Sequence, residues 1–130
     1  MLINGIPQYI QGITNEKVDL TTTNNTTLHT VASNADFNAS IINSILVSND
    51  SGSADTITVT LTDTSSAVFS LFKVTAVAAN TTVELLTKDL VMKSGEVLKV
   101  QAATADRLHV VASIQELSKT RITTSALANI

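Results

Sequence analysis

The run Asp55 to Asp63, DTITVTLTD, most constrains what this chain can fold into. Thr56, Thr58, Thr60 and Thr62 alternate without a break with Ile57, Val59 and Leu61. Strand side chains point to opposite faces with period 2, so the run is a β-strand with one apolar and one hydroxyl face. A helix is disfavoured because β-branched side chains lose rotamer freedom against a helical turn. The pattern predicts Val59 buried and Thr58 and Thr60 facing outward or toward a partner.

The same grammar recurs along the chain. Met1 to Glu16 scatters Ile3, Ile6, Ile10 and Ile13 among Gly5, Pro7 and Gly12 and fits neither period well. It reads as a segment laid over its own domain, or as an arm docking on a neighbour. A short strand follows within Lys17 to Thr23, then strands at Thr27 to Ser33 and Ala39 to Asn49. The last has Ile41, Ile45 and Val47 on one face and Ile42 and Leu46 on the other, which suggests burial on both sides or a bulge. Turn residues Asp50 to Ser53 and Thr64 to Ser66 flank the Thr-rich strand, and they predict two successive hairpins with Ala67 to Val77 as the third strand.

Strands at Thr81 to Leu86, Leu90 to Met92, Val97 to Ala102 and Arg107 to Leu117 complete the set. Lys93-Ser94-Gly95-Glu96 reads as a tight hairpin turn with Gly supplying the awkward dihedral. About eight strands at spacings near ten residues predict an all-β, two-sheet antiparallel β-sandwich, jelly-roll-like. The expected organisation is an N-terminal arm and first short strand over residues 1–26, a sandwich core over 27–117 and a tail over 118–130.

Composition narrows the chemistry. The chain has 130 residues, enough for one core, with 44% hydrophobic but only 3% aromatic residues. Aliphatic side chains must therefore fill the interior, and stacking platforms for sugars or single-stranded nucleic acid lack their aromatic faces. A net charge of −3 with no Lys/Arg cluster removes the electrostatic footprint of a nucleic-acid binder. Without cysteine there are no disulfides, thiolate metal sites or Cys nucleophiles. No segment approaches the roughly 20 apolar residues that span a bilayer, so the chain is expected to be made and kept in the cytoplasm or released by lysis.

Side chains able to carry catalysis are sparse. His29 and His109 are the only histidines; both fall in strands, and a solvated cross-strand position is expected for each. Paired across a sheet they would offer one weak metal site. Most carboxylates flank turns, where Asp bonds its own backbone. Asp50, Asp55 and Asp63 gathered at one end of a sandwich would suit calcium, but the closely alternating oxygens of a calcium loop are missing. Neither GxSxG nor a Gly-rich phosphate loop occurs. No enzyme activity, catalytic residue, metal site or cofactor is expected.

Three stretches carry a resemblance: SIINSILVSND; ADTITVTLTDTSSAVFSLFKVTAVAANTTVELLTKDLVMKSGEVLKV; and ADRLHVVASIQEL. Together they resemble the small β-sandwich virion proteins of tailed phages, of the capsid decoration (cement) type. That resemblance implies a virion structural protein, made in the host cytoplasm, that stabilises the head through non-covalent contacts. Its implied partner is the major capsid protein or another virion protein, with neither nucleic acid nor membrane involved. A trimer is implied because decoration proteins often sit on threefold capsid positions. A neck or tail accessory, or a glycan- or ligand-binding module, is the alternative. Independently of the resemblance, Ile3, Ile6, Ile10 and Ile13 at one end and Ile122, Leu127 and Ile130 at the other are apolar residues outside the strands the sandwich needs. They are the expected interface residues.

Overall fold

The computed structural model describes residues 9–33 and 38–118. Within them lie nine strands: β1 Tyr9–Asp19, β2 Thr26–Thr30, β3 Ala39–Asn49, β4 Asp55–Thr62, β5 Val68–Val77, β6 Thr81–Glu84, β7 Leu90–Lys93, β8 Val97–Ala102 and β9 Leu108–Ser118. They form two antiparallel sheets packed as a β-sandwich. In the first, β1 pairs β9 and β9 pairs β3, while β6 and β7 lie end to end along the far side of β3. The second has the order β2-β8-β4-β5.

Period 2 fills the core. Ile57 and Val59 from β4 and Leu98 and Val100 from β8 are buried against Ile42, Ile45 and Val47 of β3 and Leu108, Val110, Ala112 and Ile114 of β9 in the other sheet. On β3 the register shifts between Ile42 and Ser44. This bulge changes the phase, so Ser40 and Ile42 point inward before it, and Ile45, Val47 and Asn49 after it. One alternative left open by the sequence is thereby decided.

Several local expectations are corrected. Tyr9–Asp19 is one continuous strand, not a loose segment through Glu16 followed by a short strand within Lys17 to Thr23. Aperiodicity there has a cause: the register slips between Ile10 and Gly12, so Ile10 and Ile13, three residues apart, share a face. β3 and β4 are not a hairpin. Both flanks of β3 are occupied, by β9 on one side and β6 and β7 on the other, and the turn after it crosses to the second sheet. Buried Asn49 holds that corner: its Nδ2 donates to Ser53 O and Val77 O, and its Oδ1 accepts from Ser51 N. The β4–β5 hairpin forms as expected, with Asp63 Oδ1 accepting from Ser65 N and Ala67 N, each at 2.9 Å.

The Lys93 to Glu96 turn also links the two sheets and is not a hairpin, since β7 pairs β3 whereas β8 pairs β2 and β4. Glycine is nevertheless required there: Gly95 has φ 83°, and a Cβ would lie 2.8 Å from Thr64 Cγ2. Thr58 faces outward, as expected, and accepts a 3.0 Å bond from Val74 N. That bond supports a bulge where β-branched Val74 adopts φ 50° on the exposed edge strand. Thr60 shares that outer face but is shielded on it. It is buried at 8% exposure because it sits mid-sheet between Lys99 of β8 and Ser70 of β5.

Candidate functional site

Three polar constellations and one apolar face stand out. His29, expected on a solvated face, is buried at 4% exposure. A register shift between Thr27 and His29 turns both Leu28 and His29 inward. Its Nε2 lies 2.9 Å from Ser40 Oγ on the opposite sheet, and its Nδ1 lies 3.7 Å from Glu16 Oε1. Acid, imidazole and hydroxyl thus stand in the order of a nucleophilic relay. Ser40, however, is only 1% exposed, so its hydroxyl cannot meet a substrate in this conformation. The arrangement works as a polar bridge that satisfies buried groups between the sheets. Neither Ser40 nor Glu16 was singled out from sequence, because the pairing needs the bulge in β2 and the stacking of the sheets.

His109 lies half exposed on the outer face of the first sheet, remote in topology from His29, so the two histidines form no shared metal site. Its Nε2 is 3.2 Å from Asp19 Oδ1 and its Nδ1 3.9 Å from Asp50 Oδ2. Protonation would let it pair with both carboxylates. Asp50, Asp55 and Asp63 do not gather. Asp50 faces His109, Asp55 Oδ2 accepts from Thr104 N, and Asp63 closes its own turn. Among the described residues no group of three His, Cys, Asp or Glu side chains is placed to hold a metal ion.

A cleft of about 540 Å³ opens beside the Lys93 to Glu96 turn, lined in part by Asn38, Asp63, Lys93 and Glu96. Both carboxylates already serve turn amides: Glu96 Oε1 accepts from Lys93 N at 2.7 Å, and Asp63 caps its hairpin. Each acid of the cleft thus commits one carboxylate oxygen to holding a turn.

The outer face of the first sheet is different in kind. Directly paired residues share a face, so the register places Ile10, Leu117, Ala39 and Lys93 in one row across the strands. The next row is Ile13, Gln115, Ile41 and Val91; beyond a row of Asn15, Ser113 and Ser44 come Lys17, Val111, Leu46 and Glu84. Exposure reaches 59% at Ile10, 80% at Ile13, 61% at Val91 and 39% at Leu46. Of the expected interface residues, the structure brings Ile10 and Ile13 together on this face. Ile3, Ile6, Ile122, Leu127 and Ile130 lie outside the described residues. Leu46 and Val91 were not singled out from sequence, although the second apolar set on β3 was the available signal.

Glu84 has a shifted ionisation. Burial opposes its charge, but bonds from the Ser44 hydroxyl and from the backbone N–H groups of Ile45, Leu86 and Leu85 outweigh that and hold its carboxyl below the usual range. It fills the gap between the ends of β6 and β7, where the β3 bulge leaves the Ile45 N–H without a ladder partner.

No protein-family model and no curated protein matches the chain. Among solved structures, it is similar to two pentameric capsid proteins isolated from metagenomic phage sequences, each 18% identical over 82% of this chain, with TM-scores of 0.47 and 0.46. It covers 64% and 62% of those chains, less than two thirds of their length. A likeness to infectious bursal disease virus, Gx strain, has 11% identity, a TM-score of 0.30, and covers 92% of this chain and 44% of that one. Identities this low carry no site residue across.

Proposed function

We propose that this chain is a virion structural protein of a tailed phage, of the capsid decoration type, acting through non-covalent surface contacts. The observation that carries the reading is the uncovered aliphatic face of the first sheet, where Ile13 is 80% and Ile10 59% exposed. Contiguous apolar surface of this kind marks an interaction site or an aggregation liability. The sequence resemblance to small β-sandwich virion proteins supports the same reading. Its partner is the major capsid protein or another virion protein, and the chain assembles as a homo-oligomer, a trimer on the resemblance. Terminal residues Ile3, Ile6, Ile122, Leu127 and Ile130 contribute to the attachment.

Quantitative mass spectrometry of purified virions, together with deletion of the gene, tests this. The expected result is a stoichiometric chain in the particle and deletion virions that lose their DNA at lower temperature. A few copies per particle would move the protein to the neck or tail. Absence from virions overturns the reading.

A further inference from the structure

The rows on the outer face of the first sheet have an order that surface polarity alone does not demand. The row Lys17–Val111–Leu46–Glu84 is apolar in the middle with a cation at one end and an anion at the other. The row Ile13–Gln115–Ile41–Val91 carries its two most exposed aliphatics at its two ends. We propose that this face packs against the same face of a second copy, about a two-fold axis running along the strands. Such an axis preserves each row and exchanges its ends. Lys17 of one copy then meets Glu84 of the other, Ile13 meets Val91, and Val111 meets Leu46. A two-fold lying along the Lys17–Glu84 row would instead set Lys17 against Lys17 and Glu84 against Glu84, which charge disfavours.

Size fits as well. Four strands at about 4.8 Å and eleven residues at about 3.3 Å give a face of about 700 Å², close to the roughly 800 Å² per partner of a standard stable interface. Aligned sheets pack about 10 Å apart with strands within about 30° of each other, which this axis allows. On the second sheet the exposed large apolar residues, Val68, Phe69 and Val74, are confined to the edge strand β5. The outer face of that sheet carries Thr27, Lys99, Thr60 and Ser70 in one row and Thr30, Val97, Thr62 and Val68 in the next.

The proposal rests on the reading of this face as an interface but not on where in a virion the chain resides, so the free protein tests it separately. A two-fold contact joins copies in pairs whichever capsid position they occupy. Light scattering coupled to size exclusion, with sedimentation velocity across a concentration series, is expected to show a species of twice 13.7 kDa, or multiples of it. Leu46→Asp and Val91→Asp should each weaken the pairing by about 30-fold or more. Lys17→Glu should weaken it less and remove part of its salt dependence, whereas Val74→Asp on the opposite sheet should leave it unchanged. Far-UV circular dichroism of each variant separates loss of pairing from loss of fold, and Leu46→Thr and Val91→Thr serve if the aspartates unfold. A monomer at every concentration overturns the proposal. So does an oligomer, including a trimer, whose stability ignores Lys17, Leu46 and Val91, and the virion reading would survive either result.

Discussion

The two sheets bury matching aliphatic faces against each other yet present opposite outer faces. Threonine, serine and lysine predominate on the outer side of the second sheet, with Val97 and Val68 among them, whereas Ile10, Ile13, Ile41, Leu46, Val91 and Val111 line that of the first. Alternation of apolar and hydroxyl residues, as on β4, describes a sheet with one wet side. Apolar residues at both phases, as on β3, describe a sheet with a second surface to cover. The lesson is that the outward aliphatics of β3 are not surplus core, because the core is complete without them.

The largest expected effect tests the inward–outward division itself. Val59 is fully buried, so Val59→Asp places an unpaired charge between the sheets and should cost about 3 to 5 kcal/mol. Thr58→Asp, on the wet side of the same strand, should cost under about 1 kcal/mol. Chemical denaturation of both variants measures the contrast, and equal losses would show that both sides of β4 are covered.

The polar bridge between the sheets comes next. Ser40→Ala strips the hydroxyl 2.9 Å from His29 Nε2 and leaves a buried imidazole nitrogen unpaired, a loss of about 1 to 3 kcal/mol. Ser113→Ala, on the exposed side of β9, should change stability by less than about 0.5 kcal/mol. Comparable melting shifts would mean that the His29 contact contributes nothing.

Glu84 sharpens the comparison at the sheet margin. Its carboxyl is held below the usual range, so the stability it provides is complete above the unfolded value near 4.3 and is lost as the pH falls through the lower folded value. Glu84→Gln should therefore cost about 1 kcal/mol at neutral pH, and the gap between variant and parent should close as the medium is acidified below about pH 4. A gap that stays constant from pH 7 to strong acid would assign the loss to packing rather than charge.

Smallest in stability are changes that make the first sheet's outer face resemble the second's. Leu46→Thr and Val91→Thr should shift the unfolding free energy of the monomer by less than about 0.5 kcal/mol while reducing self-association. Thermal scans at low and high protein concentration separate the two. A large loss at low concentration would place those residues in the core after all.

Much of the architecture was legible in the sequence. Val97–Ala102 and Ala39–Asn49 have the bounds their patterns suggested, and the buried set on β9 is the one that alternation marks out. What failed were pairings and local phase. The turns at Asp50 to Ser53 and Lys93 to Glu96 carry residues suited to hairpins, but turn chemistry specifies a reversal of the chain and is silent on which sheet receives the next strand. His29 was misplaced, and the shielding of the outward Thr60 missed, because a bulge and a central sheet position are settled by neighbours distant in sequence. Ile10 and Ile13 were legible as apolar residues in want of cover, while Leu46 and Val91 became visible as their companions only through register.

By itself the sequence determined the all-β class, the approximate number of strands, the rough extent of those after β1 and the aliphatic character of the core, because these follow from local side-chain chemistry repeated with period 2. Tertiary structure decided which strands share a sheet, where the three bulges change the phase of β1, β2 and β3, and how His29 finds Ser40 and Glu16. It also decided that one outer face gathers the exposed aliphatics in rows. The physical reason is that a ladder hydrogen bond is the same whichever strand supplies it, so pairing is chosen by the joint burial of faces that only the assembled sandwich brings together.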